Sequence, residues 1–528
     1  MFAPSETLRV VPTPSGCPNK RSPSPVTHPA FPTALIKKIR RKIDRQLQDK
    51  SFEEVLRGST VIFTSRVSET FFTMVTSIFI ARVYGAEVVG SLAAIRAVME
   101  IVTIFSLVGT DVSLLKLIPQ YRKTSDRSAA QVYLTAFKLI ALCSLAISVA
   151  LYFGAHVLAD ALNKPHLGPF YVLAAYLILP KTLFKLNLEG LRGMKQHGSV
   201  AMQNISLAVV TLTALVIMTI VYLNKYIPVT SYMITLGITS AVSTLLVYDA
   251  FRKHIRKDER DGVPVQRISI KEMLTVSAPM FMTKSAFLVL GYADTLMITY
   301  FMTEAHVGYY QVAWKLVMFN KFFKNSITST AAPKMAELYH SGEMGELERV
   351  AKKTTMLMGY TIFPMLLLLI AFGKPILGGL YGPEFMAGYT AFVWLCVGQI
   401  ITASVGHVGM FMNMCGKQKL YMNIVLISAL INLVGNWILI PRIGIVGAAY
   451  SNLASVLFNH IVATIYMKRI FGFTVIYTPL LNKVGNRIPG FKGKFGTSMP
   501  KANKGNRKGN DSASEGSDHH DDQPGTDQ

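Results

Sequence analysis

The chain has 528 residues, of which 51% are hydrophobic and only 16% charged, and its formal net charge is +24. A soluble protein carries nearer to about a quarter charged residues, and apolar runs of 18 or more residues recur from Ser59 to Met467, which excludes an ordinary soluble domain. The cations concentrate in alternate loops and two tails, which argues against nucleic acid as the partner.

Residues 1–58 read as a basic, largely disordered cytoplasmic tail. Its first half is rich in Pro and Ser; the second, ALIKKIRRKIDRQLQDKSFEEVLRGS, alternates apolar residues and cations at helical spacing. That second half reads either as a helix on an anionic leaflet or as a solvated cytoplasmic helix. No apolar h-region precedes Ser59, so the first span is expected to act as its own insertion signal. The runs are continuous rather than alternating, which predicts helices rather than a β-barrel.

Twelve spans are expected, at 59–81, 89–115, 132–155, 169–188, 200–222, 231–250, 275–302, 307–333, 354–373, 388–412, 420–440 and 445–467. The loops at 116–127, 189–199, 251–272, 334–353 and 413–419 hold roughly 19 Lys and Arg, and the other set about five, so positive-inside asymmetry puts the first set and both termini in the cytoplasm. Residues 468–528 form a second tail, amphipathic at first, then Gly/Lys/Asn-rich, then acidic. Of the four cysteines, Cys17, Cys143, Cys396 and Cys415, none has a spacing that points to a metal or disulfide framework. No cofactor or metal is expected, and no P-loop is present.

The chain also looks internally repeated. Val89-Gly90 is matched by Val307-Gly308, Pro119 by Pro333, Gly193–Gln196 by Cys415–Gln418, and Ile227-Pro228 by Ile440-Pro441. Six spans per repeat is an even number, so the halves share one orientation. The expected fold is therefore all-α and polytopic, about 12 transmembrane helices in two parallel-repeat six-helix bundles around a central cavity. The expected domains are a 59–250 lobe, a 251–272 cytoplasmic linker and a 273–467 lobe.

Ionisable residues inside apolar spans carry the functional signal, because each is costly among lipid. The first two spans hold Arg66, Glu69, Arg96, Glu100 and Asp111; the seventh and eighth hold Lys284, Asp294, Lys315, Lys321 and Lys324. Arg66–Glu69 and Arg96–Glu100 have the spacing of local ion pairs. Asp294 and Lys315 lie at equal depth, roughly 12 Å from the turn that joins their spans, and form a third candidate pair. Lys321 and Lys324 have no acidic neighbour in sequence, whereas Lys181, Lys185 and Lys334 lie near cytoplasmic helix ends and are expected to snorkel. Arg66, Arg96, Lys284, Lys315, Lys321 and Lys324 are thus the candidate ligands of an anionic substrate such as a phosphate or pyrophosphate. Glu69, Glu100 and Asp294 are the candidates for proton or ion coupling. No catalytic constellation stands out, so the chain is not expected to be an enzyme.

Three stretches resemble a known family. In GYADTLMITYFMTEAHVGYYQVAWKL, Asp294, Val307, Gly308, Tyr310, Ala313 and Lys315 occupy a recurrent pattern; LYGPEFMAGYTAFVWL (Leu380–Leu395) and the run Cys415–Ser455 with its Gly444–Ala449 motif add to it. Together they are similar to the polysaccharide-export, or oligosaccharide flippase, family of the multidrug/oligosaccharidyl-lipid/polysaccharide (MOP) exporter superfamily. That resemblance implies movement of a polyprenyl- or dolichyl-(pyro)phosphate-linked sugar from the cytoplasmic to the outer leaflet of the cell membrane by alternating access. Membrane lipids, and the glycosyltransferases or glycan polymerase/ligase machinery of the same route, would be its partners. A cation-coupled multidrug or small-molecule exporter is the alternative, and predicts an acid-lined cavity instead. A membrane-embedded polymerase or ligase would need a large outer loop, and the expected outer loops are short.

Overall fold

The computed structural model describes residues 50–476, apart from 124, 222–223, 225 and 262–264. Most of both expected tails therefore lies outside the described residues. The described chain is helical almost throughout. Its helices are α1 (Lys50–Leu107), α2 (Thr110–Arg122), α3 (Asp126–Ala161), α4 (Gly168–Gly193), α5 (His197–Val221), α6 (Ile227–Asp261), α7 (Ile270–Phe301), α8 (Glu304–Met318), α9 (Asn320–His340), α10 (Met344–Ala371), α11 (Tyr389–Val405), α12 (Val408–Met414), α13 (Gln418–Ile443) and α14 (Ile445–Phe471).

Among the described residues, nine helices are long and apolar enough to cross a membrane. One of them, the Val61–Leu107 part of α1, covers the first expected span and most of the second. Gly85 interrupts it with φ 78° and ψ 179°, a backbone conformation that glycine adopts without steric penalty. The second expected span stops at Val108-Gly109 instead of continuing to 115, because both residues take positive φ. The eighth expected span divides at Phe319 into α8, which has 15 residues, and α9, whose first half carries Lys321 and Lys324. The expected 251–272 linker is mostly helical: α6 runs to Asp261 and α7 starts at Ile270.

Helix ends follow local chemistry. The Ser125 hydroxyl accepts from the Ser128 N–H at the start of α3. Gly472, in the left-handed region, ends α14 just after Lys468 and Arg469, whose charges favour the negative end of the helix. Inside the helices, hydroxyls satisfy themselves by donating to carbonyls one turn back, as Thr103 does to Met99 and Thr235 to Ser231. The apolar side chains that remain face outward. Ile220 is 79% exposed, Phe153 77% and Leu245 67%. Such a surface is stable against hydrocarbon and not against water. The chain is a multi-pass membrane protein.

The described chain divides into two compact units. The first takes the residues up to Tyr84 and Val98–Ser285; the second takes Gly85–Ala97 and the residues from Ala286 onward. In the first unit, α2, α3, α4 and α6 close around Leu114, Ile118, Val132, Ala136, Ile140 and Leu186. In the second, one core joins α9, α10, α12, α13 and α14 through Met335, Leu347, Phe411, Met412, Ile424 and Met467.

A close backbone contact organises the start of α8 within the second unit. A Cβ on Gly90 would lie 1.8 Å from the Glu304 carbonyl oxygen, and one on Gly308 would lie 2.2 Å from the Ala86 carbonyl oxygen. Each glycine faces the residue four positions before the other. The two Val-Gly pairs of the repeat therefore pack against one another, with no room for a side chain on either. Glu384 adds a polar clamp, its Oε1 accepting from the Ala86 N–H at 3.0 Å just after the Gly85 kink.

Candidate functional site

The first unit contains a half-buried acid, Glu100, late in α1. Its Oε1 lies 2.9 Å from Lys181 Nζ and its Oε2 2.6 Å from Lys185 Nζ, both on α4. This corrects two expectations. Glu100 does not pair with Arg96, because both of its oxygens are taken by α4. Lys181, whose side chain is only 4% exposed, does not snorkel to a membrane surface. Lys181 and Lys185 are four residues apart and so share a helix face, and that face turns inward. Arg66 and Glu69 do form the local pair, at 3.1 Å, on a face that is half open.

The second unit contains a buried acid of another kind. Asp294, on α7, is 4% exposed. Tyr310 Oη donates to its Oδ2 at 2.5 Å, and Asn452 Nδ2 reaches the same oxygen at 3.4 Å. Asn432 and Asn436 donate to its Oδ1 at 3.0 and 2.7 Å. None of these partners is charged. The expected Asp294–Lys315 pair is therefore not formed. Equal depth was a correct reading of rise, but helical phase decides the face. Tyr310 and Lys315 are five residues apart, about 140° around α8, so only Tyr310 turns toward Asp294 while Lys315 is exposed.

Asn432, Asn436 and Asn452 are the residues that sequence reasoning missed. Their signal was present: three asparagines inside the apolar helices α13 and α14, two of them four residues apart. Asn436 Oδ1 is buried without a hydrogen-bond partner and sits beside a carboxylate that already uses its neutral donors. Among the described residues no three His, Cys, Asp or Glu side chains converge as a metal site.

The candidate cations fall as follows. Arg96 and Lys315 both belong to the second unit and lie close enough for their charges to act on one another. Lys321 is exposed and Lys324 half-buried on α9, three residues apart, and the described residues give neither an acidic partner. Lys284 lies on α7, and its side chain falls outside the described residues. Arg66 and Glu69 belong to the first unit, with Glu100, so the nine candidates do not converge on a single described cluster.

The comparisons with known proteins agree with this architecture. A family model described as polysaccharide biosynthesis protein matches residues 55–339, more than half of the chain, and the MatE model matches residues 279–438. A probable low-salt glycan biosynthesis flippase, Agl15 of Haloferax volcanii, is 21% identical over 427 residues, covering 81% of this chain and 86% of that protein. Among solved structures, the inward closed conformation of the lipid II flippase MurJ matches with a TM-score of 0.62 at 14% identity, over 78% of this chain and 87% of that one. An inward-facing multidrug resistance MATE family transporter of the MOP superfamily matches with a TM-score of 0.64 at 11% identity, over 76% and 94%. At such identities the structures establish the shared fold, and the family match establishes descent: this chain belongs to the polysaccharide biosynthesis protein family.

Proposed function

We propose that the protein is a flippase. It moves a polyprenyl- or dolichyl-(pyro)phosphate-linked sugar or oligosaccharide from the cytoplasmic to the outer leaflet, for cell-surface polysaccharide or glycoprotein assembly, by alternating access. One observation carries this reading. In the second unit the buried acid, Asp294, is held by neutral donors, and the described residues give Lys321 and Lys324 of α9 no acidic partner. Two such cations on one helix face of an apolar chain favour an anionic ligand, and a lipid phosphate supplies one. The similarity to a protein named as a glycan biosynthesis flippase supports the same reading.

Arg96, Lys315, Lys321 and Lys324 are the proposed ligands of the head group in the second unit. Asp294 is the proposed coupling acid, since it can gain or lose a proton or cation without breaking an ion pair. Glu100 is less suited, because two lysines already compensate it. The protein performs no catalysis in this scheme. It would sit in the cell membrane with both termini cytoplasmic, next to the glycosyltransferases and the polymerase or ligase of the same route.

A leaflet-resolved assay of lipid-linked sugars, with and without the protein, tests this. Glycolipid should accumulate on the cytoplasmic face in its absence, and Lys321→Gln/Lys324→Gln should fail to restore export while still reaching the membrane. Full export by the double variant would remove these lysines from the site. The match to the MatE model favours a second reading, a cation-coupled exporter of small molecules. An unchanged glycolipid distribution together with altered drug susceptibility would favour it.

A further inference from the structure

The break in α1 lies between two side-chain anchors, one in each unit. Before it, Tyr84 Oη is 2.6 Å from Thr219 Oγ1, and both residues belong to the first unit. The Thr219 hydrogen is committed to the Leu215 carbonyl, so Tyr84 is the donor. After the break, the Ala86 N–H donates to Glu384 Oε1 at 3.0 Å, and both of these residues belong to the second unit. Gly85 joins the two anchors with φ 78° and ψ 179°, outside the helical region. The chain then stays with the second unit as far as Ala97 and rejoins the first at Val98.

Glu384 meets a need that the break creates. A helix that restarts after Gly85 leaves its first N–H groups without carbonyls one turn back. A carboxylate there satisfies one of them, and its charge suits the positive end of the helix. The loop that carries it is firmly seated. Glu384 lies in the turn Pro383–Gly388, close to Tyr381 and Phe385, which are both buried. The Phe385 ring meets Tyr309 of α8 edge-on at 5.9 Å. Glu384 itself is exposed, so its hydrogen bond to Ala86 can be exchanged for water. The segment's contact with α8 is also of a kind that can part. At its closest points, Gly90 against the Glu304 carbonyl and Gly308 against the Ala86 carbonyl, no side chain interlocks.

We propose that Glu384 is a latch for residues 85–97: while its carboxylate caps Ala86 the segment is held on α8, and when the cap is lost the segment swings away about Gly85. This inference rests on the alternating-access part of the flippase reading, in which contacts made on one side of the membrane are broken when the other side closes. It assigns the moving piece to one stretch of α1 and its release to one carboxylate. Glu384 touches no substrate in this scheme; it acts by positioning α1.

The test uses the full chain in nanodiscs, with a membrane-impermeant maleimide and peptide-resolved mass spectrometry. Val89 is buried within the latched segment, and the native Cys396 is buried on α11 of the same unit. In a Val89→Cys chain, position 89 should label slowly. Adding Glu384→Ala should speed that labelling by about tenfold, and adding Glu384→Gln, whose amide oxygen still accepts from Ala86, by about threefold. Cys396 should keep its wild-type rate throughout. An unchanged rate at position 89 overturns the latch. A rise at position 89 that is matched at Cys396 overturns it as well, because Glu384 would then hold the unit together as a whole. If the latch fails while the leaflet assay still shows cytoplasmic accumulation in the absence of the protein, the flippase reading stands without it. If the rates shift as expected while the leaflet distribution is unchanged, the latch stands on a transporter of another substrate. Should the Val89→Cys chain not fold, Glu384→Gln in the otherwise native chain is read by amide hydrogen exchange. Residues 86–97 should then exchange about threefold faster with α11 unchanged, and equal exchange in variant and wild type overturns the latch.

Discussion

The two units bury their acids in opposite ways. In the first, Glu100 sits between Lys181 and Lys185, and the charge of the acid is spent on its own unit. In the second, Asp294 is held by one tyrosine and three asparagines, so the acid is solvated by protein without being neutralised. The physical difference is what happens when the acid changes state. Loss of the Glu100 charge strands a lysine in the interior, whereas a proton or cation at Asp294 leaves every partner neutral. One arrangement is a fixed brace; the other can change its charge while the fold stays intact.

The sharpest way to break this comparison is Glu100→Gln. Lys181 would be left buried without a counter-charge, a loss expected to cost about 3–5 kcal/mol, visible as a lowered unfolding midpoint in detergent and reduced membrane yield. Adding Lys181→Met to that variant should recover part of the loss, because no lone charge then remains inside. A single variant as stable as wild type would mean that Glu100 is no brace.

Next in size are the glycines of the backbone contact. Gly90→Ala and Gly308→Ala each press a methyl group onto a carbonyl oxygen, with an expected cost of about 1–3 kcal/mol each. The near-symmetry of the contact predicts similar costs at the two sites. Gly291→Ala, on α7 with nothing within 4 Å of the added carbon, is the control and should gain up to about 1 kcal/mol from helix propensity. Clearly unequal costs at Gly90 and Gly308 would show that the repeated Val-Gly pairs are not equivalent.

Asp294→Asn sharpens the comparison from the other side. The side chain keeps its shape and no cation is orphaned, so the expected stability change is below about 2 kcal/mol. Transport measured in proteoliposomes should nevertheless lose its dependence on an imposed proton or sodium gradient. Retention of that dependence would assign the coupling to another group. The smallest effect is expected for Arg66→Gln, which removes a half-exposed i,i+3 pair worth at most about 1 kcal/mol. A drop in glycolipid export well beyond that stability change would instead mark Arg66 as a ligand.

The candidate site was legible in part. The sequence placed Asp294, Lys315, Lys321 and Lys324 in apolar surroundings, and cost alone made them candidates. It paired Asp294 with Lys315 by depth, where phase around α8 selected Tyr310. It paired Arg96 with Glu100 by spacing within one helix, where two lysines of α4 had the shorter reach. It passed over Asn432, Asn436 and Asn452, because a lone polar residue in an apolar run has no meaning until its neighbours on other helices are known.

What the sequence determined by itself was the membrane-spanning, all-helical class, since a run of apolar residues long enough to cross a bilayer has to satisfy its backbone internally as a helix. It also determined the repeated Val-Gly positions, which are local and colinear. Only the tertiary structure decided where α1 bends, that the two Val-Gly pairs meet face to face, and which acid is neutralised by lysine and which is held by neutral donors. Those outcomes depend on helix phase and on which helices become neighbours, and both are fixed by packing across long stretches of chain.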